Sequence, residues 1–201
     1  MSEPGPGDLP VLEVADASFV TEHLLVGGDL GTQDEELAAR QLQELVDAGV
    51  THLVDTRIEW DDKAWVAERS PDLVYRHHGM DDVGQEVPLE WFDEAVGSAL
   101  EAIDGGGTVL AHCHMGVNRG PSLGLAVLLA QGWDVIDALD AIRGARPVAW
   151  VAYAEDALRW YHARHGSATR LESDLARLRR WRSENQLDVG EVIRAKREAG
   201  W

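Results

Sequence analysis

The stretch VLAHCHMGVNRG, residues 109–120, carries the only cysteine of the chain between two apolar segments. Residues 109–111 predict a buried strand, and residues 119–131 predict a helix that is apolar on nearly every side. Between them lie Cys113, Gly116 and, six positions after the cysteine, Arg119. A strand, a loop and a helix N-terminus in this order can form a pocket for a tetrahedral anion.

The chemistry of this stretch depends on the ionisation of Cys113. A free thiol titrates near about pH 8.5, so it is a weak nucleophile at neutral pH unless its surroundings stabilise the thiolate. Inward-facing amides of the loop and the positive end of the following helix dipole would do so. Arg119 can hold two anion oxygens with its planar fork, and Gly116 lets the backbone approach a ligand closely.

The predicted anion site uses the backbone amides of the six loop residues that follow the cysteine. They are His114, Met115, Gly116, Val117, Asn118 and Arg119.

The pattern His112-Cys113-x5-Arg119, with Gly116 three residues after the cysteine, resembles the signature of cysteine-dependent protein tyrosine phosphatases, and its flanks are similar to the dual-specificity branch. The resemblance covers about residues 17–165. It implies that the cysteine attacks phosphorus, that an aspartic acid on an earlier loop protonates the leaving oxygen, and that a phosphocysteine intermediate is then hydrolysed. The implied reaction needs no cofactor and no metal.

The loop of residues 79–88 offers two adjacent candidates for the acid, Asp81 and Asp82. A phosphatase needs a carboxylic acid that donates a proton to the departing oxygen and later accepts one from water. Only one of two adjacent side chains can face the pocket. Counting back from Trp91, the family pattern favours Asp82, and Asp81 is the second choice. The alternative is a solvated acidic loop without a catalytic role.

Three other interpretations of Cys113 stay open on the sequence. It could be an inert thiol at the end of a core strand, because free cysteine is often buried. Metal binding with His112 and His114 is a poorer explanation, since adjacent residues of an extended segment point to opposite sides. A sulfur-transfer enzyme of the rhodanese kind also uses a cysteine in an amide-lined loop, and it would release thiocyanate from thiosulfate and cyanide. We expect His112 to form a hydrogen bond that shapes the loop.

One position departs from the family pattern. Gly120 stands where the arginine is ordinarily followed by Ser or Thr, whose hydroxyl helps the thiolate leave in the second step. Ser122 could replace it. Otherwise the protein would be a catalytically weak pseudophosphatase that recognises a phosphorylated partner.

Charge and cysteine content limit the partners and the compartment. The 201 residues include 36 acidic and 18 basic side chains, a net charge of −18, which argues against nucleic acid and anionic membranes as partners. A single cysteine forms no intramolecular disulfide and suits a reducing cytoplasm. We expect a phosphoprotein or a small phosphomonoester as substrate. The oligomeric state is not determined by the sequence.

Alternating strand and helix patterns predict an α/β fold with a mixed, largely parallel sheet flanked by helices. We expect a disordered leader at 1–16, a catalytic domain at 17–165 and a helical extension at 166–201. The expected strands and turn lie near 17–28, 50–56, 73–77 and 108–111, and the expected helices lie near 33–48, 61–69, 88–104, 119–131, 134–143 and 150–165. The extension contains Leu171, Leu175, Leu178 and Trp181 at helical spacing, which predicts an amphipathic helix that packs on the domain.

Overall fold

The computed structural model describes residues 9–31, 34–166 and 168–199. These residues form five strands: β1 (Ala17–Thr21), β2 (Leu24–Gly27), β3 (His52–Arg57), β4 (Val74–Met80) and β5 (Val109–His112). They also form the helices α1 (Glu35–Asp47), α2 (Lys63–Arg69), α3 (Leu89–Asp104), α4 (Arg119–Ala130), α5 (Val135–Ala145), α6 (Ala154–His165), α7 (Ala168–Glu184) and α8 (Val189–Glu198).

The sheet has the order β1-β2-β5-β3-β4. Strands β2, β5, β3 and β4 are parallel, and β1 pairs antiparallel with β2 as a hairpin at one edge. The mixed, largely parallel α/β sheet predicted from the sequence is therefore confirmed. Over the described residues, no helix combines the length and the apolar character that a bilayer span requires.

The central strands are buried on both faces, as expected for parallel strands covered by helices. Leu24, Val54 and Val109 face the larger core, which α3 to α7 complete, whereas Leu53 and Leu110 face a smaller core under α1 and α2. Neighbouring residues point to opposite faces because side chains alternate along a strand. Strand β5 is therefore packed between the two cores, one on each face of the sheet.

The carboxyl ends of the parallel strands meet at one edge of the sheet. Gly27 of β2 and Asp55 of β3 are both aligned with His112 of β5, so three different strands end beside Cys113. The loops that follow these strands surround one place, which is where ligands bind in open α/β sheets.

Helix α6 begins later than predicted. The sequence predicts a helix from Trp150, whereas the structure starts α6 at Ala154. The N–H groups of Trp150 and Val151 donate to the carbonyl oxygen of Val117 at 2.6 and 3.4 Å, and Val151 has φ 54°. Tertiary hydrogen bonds to the cysteine loop therefore delay this helix.

Residues 9–16 contact the domain where the sequence predicts a disordered leader. The Glu44 carboxylate in α1 accepts the backbone N–H groups of Glu13, Val14 and Ala15 at 2.6–2.9 Å. Leu9 packs against the smaller core. Residues 1–8 of the expected leader lie outside the described residues.

The extension at 166–201 contains two helices where one is predicted. Leu175, Leu178 and Trp181 of α7 are buried in the larger core, and the Trp181 indole donates to Asp140 at 2.6 Å. Helix α8 is different, because all of its residues are exposed or partly exposed.

Candidate active site

Cys113 follows the last residue of β5 and begins the loop that ends at α4. Its N–H donates to the carbonyl oxygen of Gly27 at 3.2 Å, and its side chain is buried. The Thr56 hydroxyl donates to the carbonyl oxygen of His112 at 2.8 Å. Neighbouring strands on both sides therefore fix the position of the cysteine.

The backbone amides of the loop are available to a ligand. Among the described residues, no protein acceptor receives a hydrogen bond from the N–H groups of residues 114–118. Unpaired backbone donors are costly when they are shielded from water, so several in one short loop are unusual. Such a concave set of amides is suited to an anion.

Gly116 has φ +61°, a conformation that favours glycine. A Cβ atom here would lie 2.2 Å from Nη2 of Arg146 and 2.5 Å from the nitrogen of Gly28. Arg146 donates from Nε to the Gly116 carbonyl at 2.6 Å and from Nη2 to the Met115 carbonyl at 3.1 Å. Arg146 thus holds the loop from outside, a role that the sequence did not predict.

Arg119 is the first residue of α4 and is buried. Its two terminal nitrogens donate to both Glu59 oxygens at 2.7 and 2.6 Å, and Nη1 also donates to the Met80 carbonyl at 3.0 Å. Nε has no hydrogen-bond partner among the described residues. The fork is therefore fixed by one carboxylate while one buried donor is left for a ligand.

The pKa values of this pair reflect the contact. The hydrogen bond from Arg119 lowers the pKa of Glu59 to about 2, against the opposing effect of burial. Burial lowers the pKa of Arg119, but the Glu59 carboxylate outweighs it, and the pKa is raised. The sequence gives no sign of this role for Glu59, because it lies 60 positions before Arg119 in a chain with many carboxylates.

Asp82, not Asp81, lies against the cysteine loop. Its Oδ2 is 3.5 Å from Nε of Arg119, and its Oδ1 accepts hydrogen bonds from Nδ2 of Asn118 at 2.5 Å and from the Tyr153 hydroxyl at 3.1 Å. Both residues are exposed, but the hydrogen bonds to Asp81 among the described residues involve its backbone oxygen and not its carboxylate. The geometry therefore places the preferred acid candidate beside the arginine.

Asn118 connects two loops to the site. Its side-chain oxygen accepts the Ala152 N–H at 2.6 Å, while its nitrogen donates to Asp82. The side chain consequently orients the carboxylate, in addition to the backbone contact with an anion that the sequence predicts for this residue.

A buried ionic cluster contacts the cysteine loop through His114. Arg57 is fully buried and pairs with Asp29 at 3.1 Å, with Asp55 at 2.7 Å and with Asp62. The Asp29 carboxylate also contacts Nδ1 of His114 at 2.8 Å. A buried arginine needs such partners, since an unpaired charge is expensive to bury.

His112 does not form the side-chain hydrogen bond predicted for it. Both ring nitrogens are buried without a hydrogen-bond partner among the described residues, and the nearest carboxylate, Asp55, is 4.0 Å away. Burial lowers the pKa of His112, which keeps the ring neutral at pH 7. Its backbone carbonyl, not its ring, is held by a hydrogen bond.

Three exposed apolar side chains, those of Ile58, Trp60 and Val83, form an apolar rim beside the site residues. These side chains are 57%, 43% and 81% exposed, although each is adjacent in sequence to Glu59 or Asp82 of the site. The Trp60 ring lies 5.0 Å from the His114 ring, measured between centroids. Exposed apolar groups beside a polar pocket are a common feature of binding sites.

Gly120 is explained by close packing. A Cβ atom at this position would lie 2.8 Å from the Ala111 carbonyl oxygen and 3.0 Å from the His112 backbone. Helix α4 therefore approaches β5 too closely for a serine or threonine. The Ser122 hydroxyl is buried and has no hydrogen-bond partner among the described residues.

Residues 9–31, 34–166 and 168–199 contain no group of three or more His, Cys, Asp or Glu side chains arranged to hold a metal ion.

Phosphatases are among the solved structures that this chain resembles. Human DUSP28 is 22% identical, with a TM-score of 0.60 over 77% of this chain and 97% of that one. PTPMT1, solved in complex with PI(5)P, is 17% identical, with a TM-score of 0.60 over 74% and 96%. Tk-PTP in its active form is 22% identical, with a TM-score of 0.57 over 74% and 95%. The chain has the dual-specificity phosphatase fold.

No family model and no curated protein matches the chain. At these identities the similarity establishes the dual-specificity phosphatase fold alone. Any activity therefore depends on the geometry of the cysteine loop, Arg119 and Asp82.

Proposed function

We propose that the protein is a cysteine-dependent phosphomonoester hydrolase. The observation that carries the proposal is the set of amides at residues 114–118 without a hydrogen bond among the described residues, in the loop that joins the single cysteine to Arg119. Nε of Arg119 is also without a hydrogen bond there and lies 3.5 Å from the Asp82 carboxylate. These donors match the equatorial oxygens of a phosphoryl group, and their fixed positions favour the transition state.

The proposed reaction has two steps. In the first, the Cys113 thiolate attacks phosphorus, a P–S bond forms, the P–O bond to the leaving group breaks, and Asp82 gives its proton to the leaving oxygen. In the second, water attacks phosphorus, Asp82 takes a proton from it, the P–S bond breaks, and inorganic phosphate leaves. Arg119 binds phosphoryl oxygens throughout. No cofactor takes part in either step.

Substrates with an aromatic or apolar group next to the phosphate are favoured by the apolar rim, whether they are phosphoproteins or small phosphomonoesters. We expect Trp60→Ala to raise KM for p-nitrophenyl phosphate by about threefold to tenfold, because a contact between two aromatic rings contributes about 1 kcal/mol. KM for glycerol phosphate should stay unchanged. An equal change for both substrates would contradict the role of the rim.

The central experiment is hydrolysis of p-nitrophenyl phosphate with EDTA present. Wild type should turn over, Cys113→Ser should be inactive, and Asp82→Asn should lose far more activity than its neighbour Asp81→Asn. Turnover that survives Cys113→Ser, or that requires an added divalent ion, would refute the proposal.

A pseudophosphatase is the second candidate. The close packing at Gly120 favours it, because the site has no room for a serine or threonine hydroxyl that would help the thiolate leave. A single equivalent of p-nitrophenol, released without further turnover, would identify it. The reducing cytoplasm, where a lone reactive thiol persists, is the compartment we propose in both cases.

A further inference from the structure

Helix α8 lies on the surface, yet it sends one side chain towards the cysteine loop. All of its residues are exposed or partly exposed, and a cavity of about 410 Å³ separates part of the helix from Val148. Lys196 is its innermost side chain, only 13% exposed, with Nζ 2.5 Å from Oδ2 of Asp16. The attachment of α8 is therefore polar and local.

A continuous series of contacts leads from Lys196 to the cysteine loop. Asp16 Oδ2 accepts from Nη2 of Arg146 at 2.8 Å as well as from Lys196. Arg146 in turn donates to the carbonyls of Gly116 and Met115. One carboxylate thus connects a cation of the extension with the arginine that holds the loop.

The position of Asp16 is set by its backbone. Its carbonyl accepts the Gly28 N–H at 2.7 Å, and a Cβ atom on Gly28 would lie 2.4 Å from Oδ2. The backbone is fixed, whereas the carboxylate is oriented by its two cations. Without Lys196, Arg146 would be its sole strong partner among the described contacts, and the same Nη2 is shared with Met115.

We propose that Lys196 is a positioning residue of the cysteine loop, acting through Asp16 and Arg146. The C-terminal helix α8 is then part of the phosphate-binding apparatus, not a passive addition. The inference rests on the proposed function only in that the loop binds a phosphate-like oxyanion.

The test uses the full chain and measures oxyanion binding separately from turnover. Inorganic phosphate or tungstate is titrated as a protectant of Cys113 against iodoacetamide, in wild type, Lys196→Met, Lys196→Arg and Arg197→Met. Arg197 is an exposed neighbour on α8, so its variant removes the same charge without touching Asp16.

We expect Lys196→Met to weaken protection by about tenfold, less than the hundredfold that a displacement of about 1 Å can cost a catalytic group. Lys196→Arg should recover most of the affinity, and Arg197→Met should resemble wild type. With p-nitrophenyl phosphate, the loss in Lys196→Met should appear mainly in KM. All variants are compared well below their lowest unfolding temperature.

The proposal is overturned if Lys196→Met loses no more affinity than Arg197→Met, or if Lys196→Arg recovers none. A helix that detaches in Lys196→Met while protection persists would overturn it equally. Because protection needs no turnover, a wild-type protein that binds oxyanion without hydrolysing substrate would refute the proposed function and leave this test intact.

Discussion

Glu59 fixes the orientation of the Arg119 guanidinium. Both carboxylate oxygens bind the fork, so rotation of the guanidinium would break two charge-assisted hydrogen bonds. We predict that Glu59→Gln lowers kcat/KM for p-nitrophenyl phosphate by about tenfold or more, since one strong acceptor and the charge are lost. Steady-state kinetics check this, with the exposed Glu94→Gln as the control. Equal activity of both variants would show that Arg119 is oriented without Glu59.

Gly120 packs closely against the backbone of Ala111 and His112. Gly120→Ser restores the hydroxyl of the family pattern, but its Cβ would clash with the Ala111 carbonyl oxygen at 2.8 Å. We expect a loss of about 2 kcal/mol in the free energy of unfolding, within the range for overpacked sites, and no gain in turnover. Urea denaturation measures it.

Gly97→Ser in α3 is the matched control, because nothing lies within 4 Å of a Cβ built there. It should be neutral or slightly stabilising. Faster turnover of Gly120→Ser without loss of stability would mean that α4 can move away from β5.

Asp55 gives a prediction about pH. Burial raises the pKa of this carboxyl, but the electrostatic interaction with His112, the charge and hydrogen bonds of Arg57 and the hydrogen bond from Tyr75 together outweigh burial and lower the pKa from 3.8 to about 2. A lowered folded-state pKa contributes stability above the unfolded-state pKa and loses it as pH falls through the folded-state pKa, so roughly 2 kcal/mol should disappear between about pH 4 and pH 2.

Urea denaturation at a series of pH values tests this. Asp55→Asn should be less stable than wild type at pH 7 and should lose less stability on acidification, whereas the exposed Asp104→Asn should follow wild type. An acid transition of the same depth in Asp55→Asn would assign the effect to other carboxylates.

Sequence patterns revealed some residues of the site and not others. Cys113, Gly116 and Arg119 lie in one loop, where spacing along the chain reflects spacing in space. Glu59 and Arg146 reach the loop from distant segments, and no local pattern distinguishes them from other charged residues. The family pattern already favoured Asp82 over Asp81, but its contacts with Asn118 and Tyr153 could not be predicted from the sequence, because these residues are 36 and 71 positions away.

Among the elements, those with strong apolar periodicity were predicted well. The helix expected at 119–131 is α4, and the helix expected at 88–104 is α3. The start of α6 was wrong by four residues, since hydrogen bonds from Trp150 and Val151 to Val117 override local preference. The division of the extension into α7 and α8 was also missed.

Glu44 attaches residues 13–15 to helix α1. We predict that Glu44→Ala lowers the free energy of unfolding by about 1–2 kcal/mol, since the partly buried N–H groups of Val14 and Ala15 lose a charged acceptor. Thermal denaturation measures the loss, and hydrogen exchange should accelerate at residues 13–15. Glu36→Ala, exposed in the same helix, should leave that exchange unchanged. Slow exchange in Glu44→Ala would contradict the attachment.

For the whole molecule, we expect the domain predicted at residues 17–165 to need α7 to complete its core. Leu178 is fully buried in the larger core. Leu178→Ala should therefore cost about 3 kcal/mol, as for other core leucines, and should lower the unfolding temperature in calorimetry. Arg180→Ala, exposed on the same helix, should cost less than about 0.5 kcal/mol. A small effect of Leu178→Ala would show that the domain closes its core without α7.

The burial of Trp181 against α5, in a core that also contains residues of β2 and β5, has a consequence during synthesis. The ribosome makes the cysteine loop long before it makes α7, so a nascent chain can pair its strands while the apolar side of α5 and α6 is still uncovered. Until residue 181 emerges, that surface is open to chaperones and to other nascent chains.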